Sequence, residues 1–168
     1  MDFHKELIAE FEQETASTRK ILAAIPEDAD FSWKPHTKSM TLGRLAGHLV
    51  ETCGQWASGT LTKDKVEQPP DYNFDRFIPA DKNALLADFD KSVAESKAAL
   101  AEFSPEKWSD IWSFGMGDQV WIRDSKYRVF RTWVLNHQVH HRAQVGVYLR
   151  LLDAAVPGTY GPSADDGM

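Results

Sequence analysis

The sequence contains one cysteine, Cys53, among its 168 residues. A single cysteine excludes an intrachain disulfide framework and any zinc site built from several cysteines. An excess of positive charge is also missing, because 19 Lys and Arg stand against 25 Asp and Glu, for a net charge of −6. Since non-specific binding to nucleic acid needs a basic face that neutralises phosphates, we expect no nucleic-acid partner.

Long apolar runs are absent as well. A membrane-spanning helix needs about 18 or more consecutive apolar residues, whereas the apolar runs here are short, such as residues 21–25. The first residues have neither the basic start nor the apolar centre of a signal peptide. We therefore expect a cytoplasmic protein with no membrane partner. Its length predicts a single domain over residues 1–168, with residues 157–168 as a surface tail.

Four stretches show the three- and four-residue spacing of apolar positions that is typical of amphipathic helices. They cover residues 3–25, 42–58, 82–103 and 126–153. The predicted N-caps are Asp2, Thr41 or Ser39, Asp81, and Asp124 or Ser125. No strong strand pattern is found, although residues 119–123 could form a short extended piece. The predicted fold class is therefore all-α, a four-helix bundle.

Two long connections separate these helices, residues 59–80 and residues 104–124. About 20 extended residues reach up to about 66 Å, whereas a helix of about 22 residues is only about 33 Å long. The first connection can therefore cross the whole bundle, so the second and third helices are expected to run parallel. The second connection is rich in aromatic residues, which predict a cap over the end of the core, with the lining of a substrate pocket as the alternative: Trp108, Trp112, Phe114 and Trp121.

Three of the six histidines fall within five residues of the fourth predicted helix. His137 and His141 lie four residues apart in its apolar stripe, so their rings can converge on one point. An inward pair of this kind is half of a metal site, with two hydrogen-bonded core residues as the alternative. His140 lies at the edge of the stripe. The candidates for a third ligand are His4, His36 and His48.

Two segments resemble motifs of the DinB/YfiT-like superfamily. Residues 39–49, SMTLGRLAGHL, resemble its second-helix motif. Residues 136–150, NHQVHHRAQVGVYLR, resemble its fourth-helix signature H-x-x-H-H-R-G-Q, with Ala143 in place of the glycine. Residues 33–35 and 156–163 are also similar to the family, so the likeness extends over nearly the whole chain.

The resemblance implies a four-helix bundle whose second and third helices run parallel, often in a homodimer. It further implies one divalent transition metal held by three histidines, which here are His48, His137 and His141. Imidazole ligands suit several metals, so Zn, Ni and Fe remain open. His140 and Arg142 match family positions to which we assign no role.

Three neutral imidazoles would leave open positions on the ion, as in catalytic rather than structural sites. Glu51, Gln55 and Gln144 are candidates to hold the second ring nitrogens, with a solvent-facing or edge position as the alternative for each. Some members of the superfamily are thiol-dependent transferases. Our first hypothesis is thus a metal-dependent transferase that joins a low-molecular-weight thiol to a small-molecule substrate. The alternatives are a metal-dependent hydrolase and a non-catalytic, stress-related metal-binding bundle, and no catalytic residue is assigned.

A catalytic or ligand role is the alternative for Cys53. Its phase with Leu49 and Trp56 on the second predicted helix favours a small core residue instead.

Overall fold

The computed structural model describes residues 2–166, so residue 1 and the last two residues of the predicted tail lie outside it. The elements in chain order are α1 (Phe3–Ala23), α2 (Leu42–Glu51), α3 (Ala57–Thr62), β1 (Lys65–Gln68), α4 (Lys82–Glu102), β2 (Ile111–Met116), β3 (Gln119–Ser125), α5 (Lys126–Val129) and α6 (His137–Leu151). Two π-helical segments, Thr52–Trp56 and Phe130–Asn136, join α2 to α3 and α5 to α6. Each of these pairs is therefore one continuous helical stretch.

The prediction of an all-α fold is wrong, because the two long connections contain strands. β1, β2 and β3 form a mixed sheet in which β1 pairs parallel with β2 and β2 pairs antiparallel with β3. The fold is therefore mixed, with four long helical stretches and a three-stranded sheet within the described residues. β1 has only four residues, and its partner lies almost 50 residues further along the chain. Local periodicity carries no signal for such a distant pairing.

The four helical stretches begin at predicted caps. The side chains of Asp2, Thr41, Asp81 and Ser125 each accept a hydrogen bond from a backbone N–H of the first turn. The ends differ more, since the first stretch ends at Ala23 and the second continues to Thr62. Neither π-helical segment was predicted, because the apolar spacing of an α-helix, at 3.6 residues per turn, carries no signal for a π turn.

The core lies between the helices, and α4 follows α2 and α3 along their length. Leu45 and Leu49 pack with Leu85 and Phe89 in the main apolar cluster. Further along, the Ser96 hydroxyl donates to the carbonyl oxygen of Cys53. The contacts thus advance in the same direction along both stretches. Cys53 is fully buried, as its phase on the helix predicted.

The C-terminal segment is tied to the helices by a buried polar group. The Arg142 guanidinium forms an ion pair with Glu14, with Nη2 2.7 Å from Oε2. The Tyr160 hydroxyl donates to the same Glu14 oxygen at 2.7 Å and accepts from Arg142. Arg142 and Glu14 are both buried. Arg142 therefore joins α6 to α1 and to the tail, although it is the direct neighbour of His141.

Among the described residues, no helix combines the length and the apolar character that crossing a bilayer requires.

Candidate metal centre

Three histidines from two helical stretches meet at one point. His48 projects from α2, and His137 and His141 project from the first turns of α6. The Nε2 atom of His137 lies 2.8 Å from Nε2 of His141 and 3.4 Å from Nε2 of His48. One ring nitrogen of each residue lies within 4.8 Å of the others. The structure thus brings together the three residues that the resemblance singled out.

The other ring nitrogens of two histidines are held by neighbouring side chains. His48 Nδ1 lies 2.8 Å from Glu51 Oε2, and His141 Nδ1 lies 2.7 Å from Gln144 Oε1. A carboxylate and an amide oxygen only accept, so each Nδ1 must carry the proton. The lone pairs of both rings are therefore on Nε2, directed at the centre of the cluster. Such outer contacts fix tautomer and ring orientation at metal sites.

Burial favours the neutral imidazole. Removal from water lowers the pKa of His137 to about 4, and the nearby His48 ring adds to the shift. Burial likewise lowers the pKa of His141 to about 4, against the opposing effect of its hydrogen bond to Gln144. Metal binding requires the deprotonated ring. At neutral pH these two residues are already in the form that a metal ion needs.

Two of the three spacings between the ring nitrogens fit a shared ion. Two nitrogens about 2.0–2.1 Å from one Zn²⁺ are separated by about 2.8–3.4 Å, the shorter value at a right angle and the longer at the tetrahedral angle. The two Nε2–Nε2 distances of 2.8 and 3.4 Å match this range. If the three histidines were core residues that only hydrogen-bonded to one another, an N–H group would face each nitrogen lone pair. Because the protons of His48 and His141 are on Nδ1, only His137 can direct an N–H group at the other two rings.

The buried guanidinium of Arg44 forms an ion pair with Glu51. Arg44 Nη1 lies 2.9 Å from Glu51 Oε2, and Arg44 Nε lies 3.2 Å from Asp75 Oδ1. Arg44 and Glu51 are 5% and 9% exposed, whereas the Asp75 side chain is 78% exposed. Glu51 thus balances the charge of Arg44 and orients His48 with the same oxygen. The sequence nominated Glu51 only for its proximity to His48 and gave no role to Arg44.

The remaining histidines lie elsewhere. His4 accepts a hydrogen bond from the Trp108 indole, and His36 accepts one from a backbone N–H within its own loop. His140 is exposed, with its ring beside that of His141 but outside the cluster. Of the three candidates for outer contacts, Gln144 and Glu51 make them. Gln55 is exposed instead and lines a neighbouring cleft.

Both π-helical segments border the cluster, and each contributes a tryptophan. Trp56 and Trp133 stack at 6.0 Å with nearly parallel planes, and both rings stand edge-on to His137. Single π turns occur often at functional sites because they redirect side chains within a helix. Gly54, in the first of these segments, allows the close approach of α4, since a Cβ there would lie 2.7 Å from the Ser92 hydroxyl.

A cleft of about 220 Å³ opens beside His48, between the α2–α3 stretch and the sheet. We call it the aromatic cleft after five of its lining residues: Trp56, Tyr72, Phe74, Trp112 and Phe114. The second long connection was predicted to cover the end of the core with its aromatic residues. This is right for Trp108, which packs in the helical core. It does not hold for Trp112 and Phe114, which are buried in the wall of the cleft.

Comparison with known proteins identifies the family. Residues 1–167 match the family model described as DinB family. The chain belongs to the DinB family. It is 27% identical over 161 residues to the uncharacterized protein YrdA of Bacillus subtilis (strain 168), which covers 93% of this chain and 87% of YrdA.

Solved structures of DinB-like proteins have the same fold. One, from Bacillus cereus ATCC 10987, is 25% identical with a TM-score of 0.70 and covers 93% of this chain and 97% of its own. Another, YjoA from Bacillus subtilis, has a TM-score of 0.66 and covers 97% of this chain and 99% of its own. At 16% identity, the similarity to YjoA shows only that the two folds are alike.

Proposed function

We propose that this DinB protein binds one divalent transition metal, Zn, Ni or Fe, through Nε2 of His48, His137 and His141. The observation that carries the proposal is the convergence of three Nε2 atoms while Glu51 and Gln144 hold the outer nitrogens of two rings. Three neutral ligands leave an ion its double charge and leave coordination positions open. This arrangement fits a catalytic role better than a closed structural site.

We further propose that the protein is a transferase for a low-molecular-weight thiol. When bound, the ion supplies Lewis acidity that favours a thiolate over a thiol. In the transfer, the thiolate sulfur forms a bond to an electrophilic carbon, the leaving group departs with its bonding pair, and the thiol proton passes to solvent. The chain's own residues hold the ligand rings rigid and provide the adjoining aromatic cleft for the electrophile.

The state of Glu51 favours thiol transfer over hydrolysis. A hydrolase gains from a carboxylate or another base that can take a proton from the attacking water. Among residues 2–166, Glu51 is the carboxylate in contact with the cluster, and its Oε2 is already engaged by His48 and Arg44. A thiol bound to the ion needs no such base, because its ordinary pKa of about 8.5 would be lowered further by the ion.

Metal content of the purified protein tests the site. The protein is prepared without a metal-affinity column and analysed by mass spectrometry beside His48→Ala, His137→Ala and His141→Ala. We expect about one ion per chain in the wild type and a loss in each variant. His140→Ala is the matched control, since it removes an exposed ring on the same helix and should keep the metal. An unmetallated wild type after incubation with Zn, Ni and Fe salts would contradict the site.

Thiol consumption tests the activity. Glutathione and cysteine are incubated with 1-chloro-2,4-dinitrobenzene, and the thioether is followed by its absorbance. We expect metal-dependent turnover that His141→Ala abolishes. Metal binding without turnover of any thiol or of ester and amide probes would leave the non-catalytic metal-binding role. Association into a homodimer stays a prediction, which light scattering after size exclusion tests.

A further inference from the structure

We propose that the aromatic cleft binds an elongated, flat, apolar molecule that carries one negative group, with the apolar part against the aromatic rings and the negative group at Lys63. The proposal rests on the proposed function only in that this ligand would be the electrophilic substrate, brought beside His48. Neither the family assignment nor the histidine cluster specifies such a ligand. Three features of the cleft do so: its walls, its charge and its length.

The walls of the cleft are aromatic on both sides of the opening. Trp56 lies 5.2 Å from Phe114 between ring centroids, and Tyr72 lies 4.9 Å from Phe74. Phe74 remains 40% exposed at the mouth. Ligand pockets commonly measure about 300–1,000 Å³, so a cleft slightly below this range suits a molecule of one or two rings. Offset and edge contacts with such rings favour a flat partner.

Two cationic side chains line the cleft, Arg44 and Lys63, and they differ in whether a carboxylate is paired with them. The Arg44 guanidinium is paired with the carboxylates of Glu51 and Asp75. Lys63 is exposed, and within residues 2–166 no carboxylate lies at ion-pair distance from its ammonium group. Its backbone carbonyl accepts from the buried Lys126, which fixes the position of the residue at the end of α3. Lys63 is therefore the cation of the cleft that is available to a negatively charged ligand.

The length of the cleft follows from the helical stretch that forms one side. His48 and Lys63 both line it, and they lie roughly 20 Å apart along the helix at about 1.5 Å per residue. Their side chains extend into this interval. A ligand held by its negative group at Lys63 must therefore be elongated if its other end is to approach His48. The sheet, absent from the sequence prediction, supplies Val66, Trp112 and Phe114 along this path.

Isothermal titration with two probes of the same shape tests the proposal. Biphenyl-4-carboxylate carries the negative group, and biphenyl-4-carboxamide lacks it. Both are titrated into the full chain as purified and after treatment with EDTA, so that binding of the carboxylate to a metal ion is recognised. We expect both probes to bind in both states, with the carboxylate tighter by about twofold to fivefold.

Two exposed positions allow matched variants that leave the core intact. Phe74→Ala should weaken both probes by about threefold to tenfold, whereas Phe3→Ala, at another exposed phenylalanine outside the cleft, should change neither. Lys63→Gln should remove the advantage of the carboxylate and leave the carboxamide unchanged. Lys107→Gln, at an exposed lysine outside the cleft, should do neither.

The outcomes separate this proposal from the metal site. Probe binding that depends on Phe74 and Lys63 supports the cleft even if the protein holds no metal. Absence of binding by both probes, or equal effects of Phe74→Ala and Phe3→Ala, overturns it while leaving the metal site standing. Carboxylate binding that occurs only with metal and ignores Lys63→Gln overturns it as well, because the ion would then be the binding partner.

Discussion

Replacing Glu51 with Gln removes the charge that links Arg44 to the histidine cluster while keeping the shape of the side chain. Breaking a buried ion pair by removing one partner costs about 3–5 kcal/mol. Asp75 can still pair with Arg44, but as a largely exposed carboxylate it returns only about 0–1 kcal/mol. The free energy of unfolding of the metal-free protein should therefore fall by about 2–5 kcal/mol.

The same substitution should weaken metal binding. Removal of an outer partner of a histidine ligand typically costs about 10–100-fold in metal affinity, which equals about 1.4–2.7 kcal/mol. Gln retains an oxygen that accepts from His48 Nδ1, so we expect a loss near the lower end. Competition with a chromophoric chelator measures the affinity, and urea unfolding measures the stability.

Asp75→Asn is the matched control, because it also removes a carboxylate from Arg44 but does not touch His48. Its effect on stability should stay below about 1 kcal/mol, and its metal affinity should equal that of the wild type. The reasoning is refuted if Asp75→Asn lowers stability or metal affinity as much as Glu51→Gln does. It is also refuted if Glu51→Gln leaves both quantities unchanged.

Three further predictions concern packing, the tail and pH. Gly47→Ala should lower the urea midpoint of unfolding strongly, because its Cβ would lie 2.6 Å from the carbonyl oxygen of Phe77. Gly59→Ala is the control and should be tolerated, because its Cβ would meet its nearest neighbour at 3.6 Å. Tyr160→Phe should cost about 1–2 kcal/mol in the same assay, since it removes a hydroxyl bonded to a buried ion pair; an unchanged midpoint would mean that the tail contact contributes nothing. The metal-free protein should lose stability as pH falls from about 6.5 towards 4, because unfolded histidines take up protons before the buried His137 and His141 do. Double replacement of these two by Ala should flatten that slope.

The helical part of the fold was predictable because its signals are local. Helix caps such as Asp81 and the apolar spacing between Leu85 and Phe89 lie within a few residues of each other, and the structure uses them as predicted. The convergence of His137 and His141 is local for the same reason, since residues four apart share one face of a helix. The choice of His48 over His4 and His36 came from the family motif, and the three-histidine geometry agrees with it.

The sheet could not be predicted in this way. The pairing of β1 with β2 joins Val66 to Phe114 across the intervening helix α4, and no short window of sequence contains both partners. A one-residue shift in such a pairing would turn every side chain to the opposite face. The position of Phe114 in the wall of the aromatic cleft therefore depends on a register that only the assembled fold defines.

By itself the sequence determined the four helical stretches, the burial of Cys53 and the family, because each depends on neighbouring residues or on a contiguous motif. Only the tertiary structure decided that the fold is mixed, that Arg44 is buried behind Glu51, and that an aromatic cleft opens beside His48. These features depend on contacts between residues far apart in the chain. Their free energies arise from burial and charge pairing, which exist only once the helices and the sheet have packed.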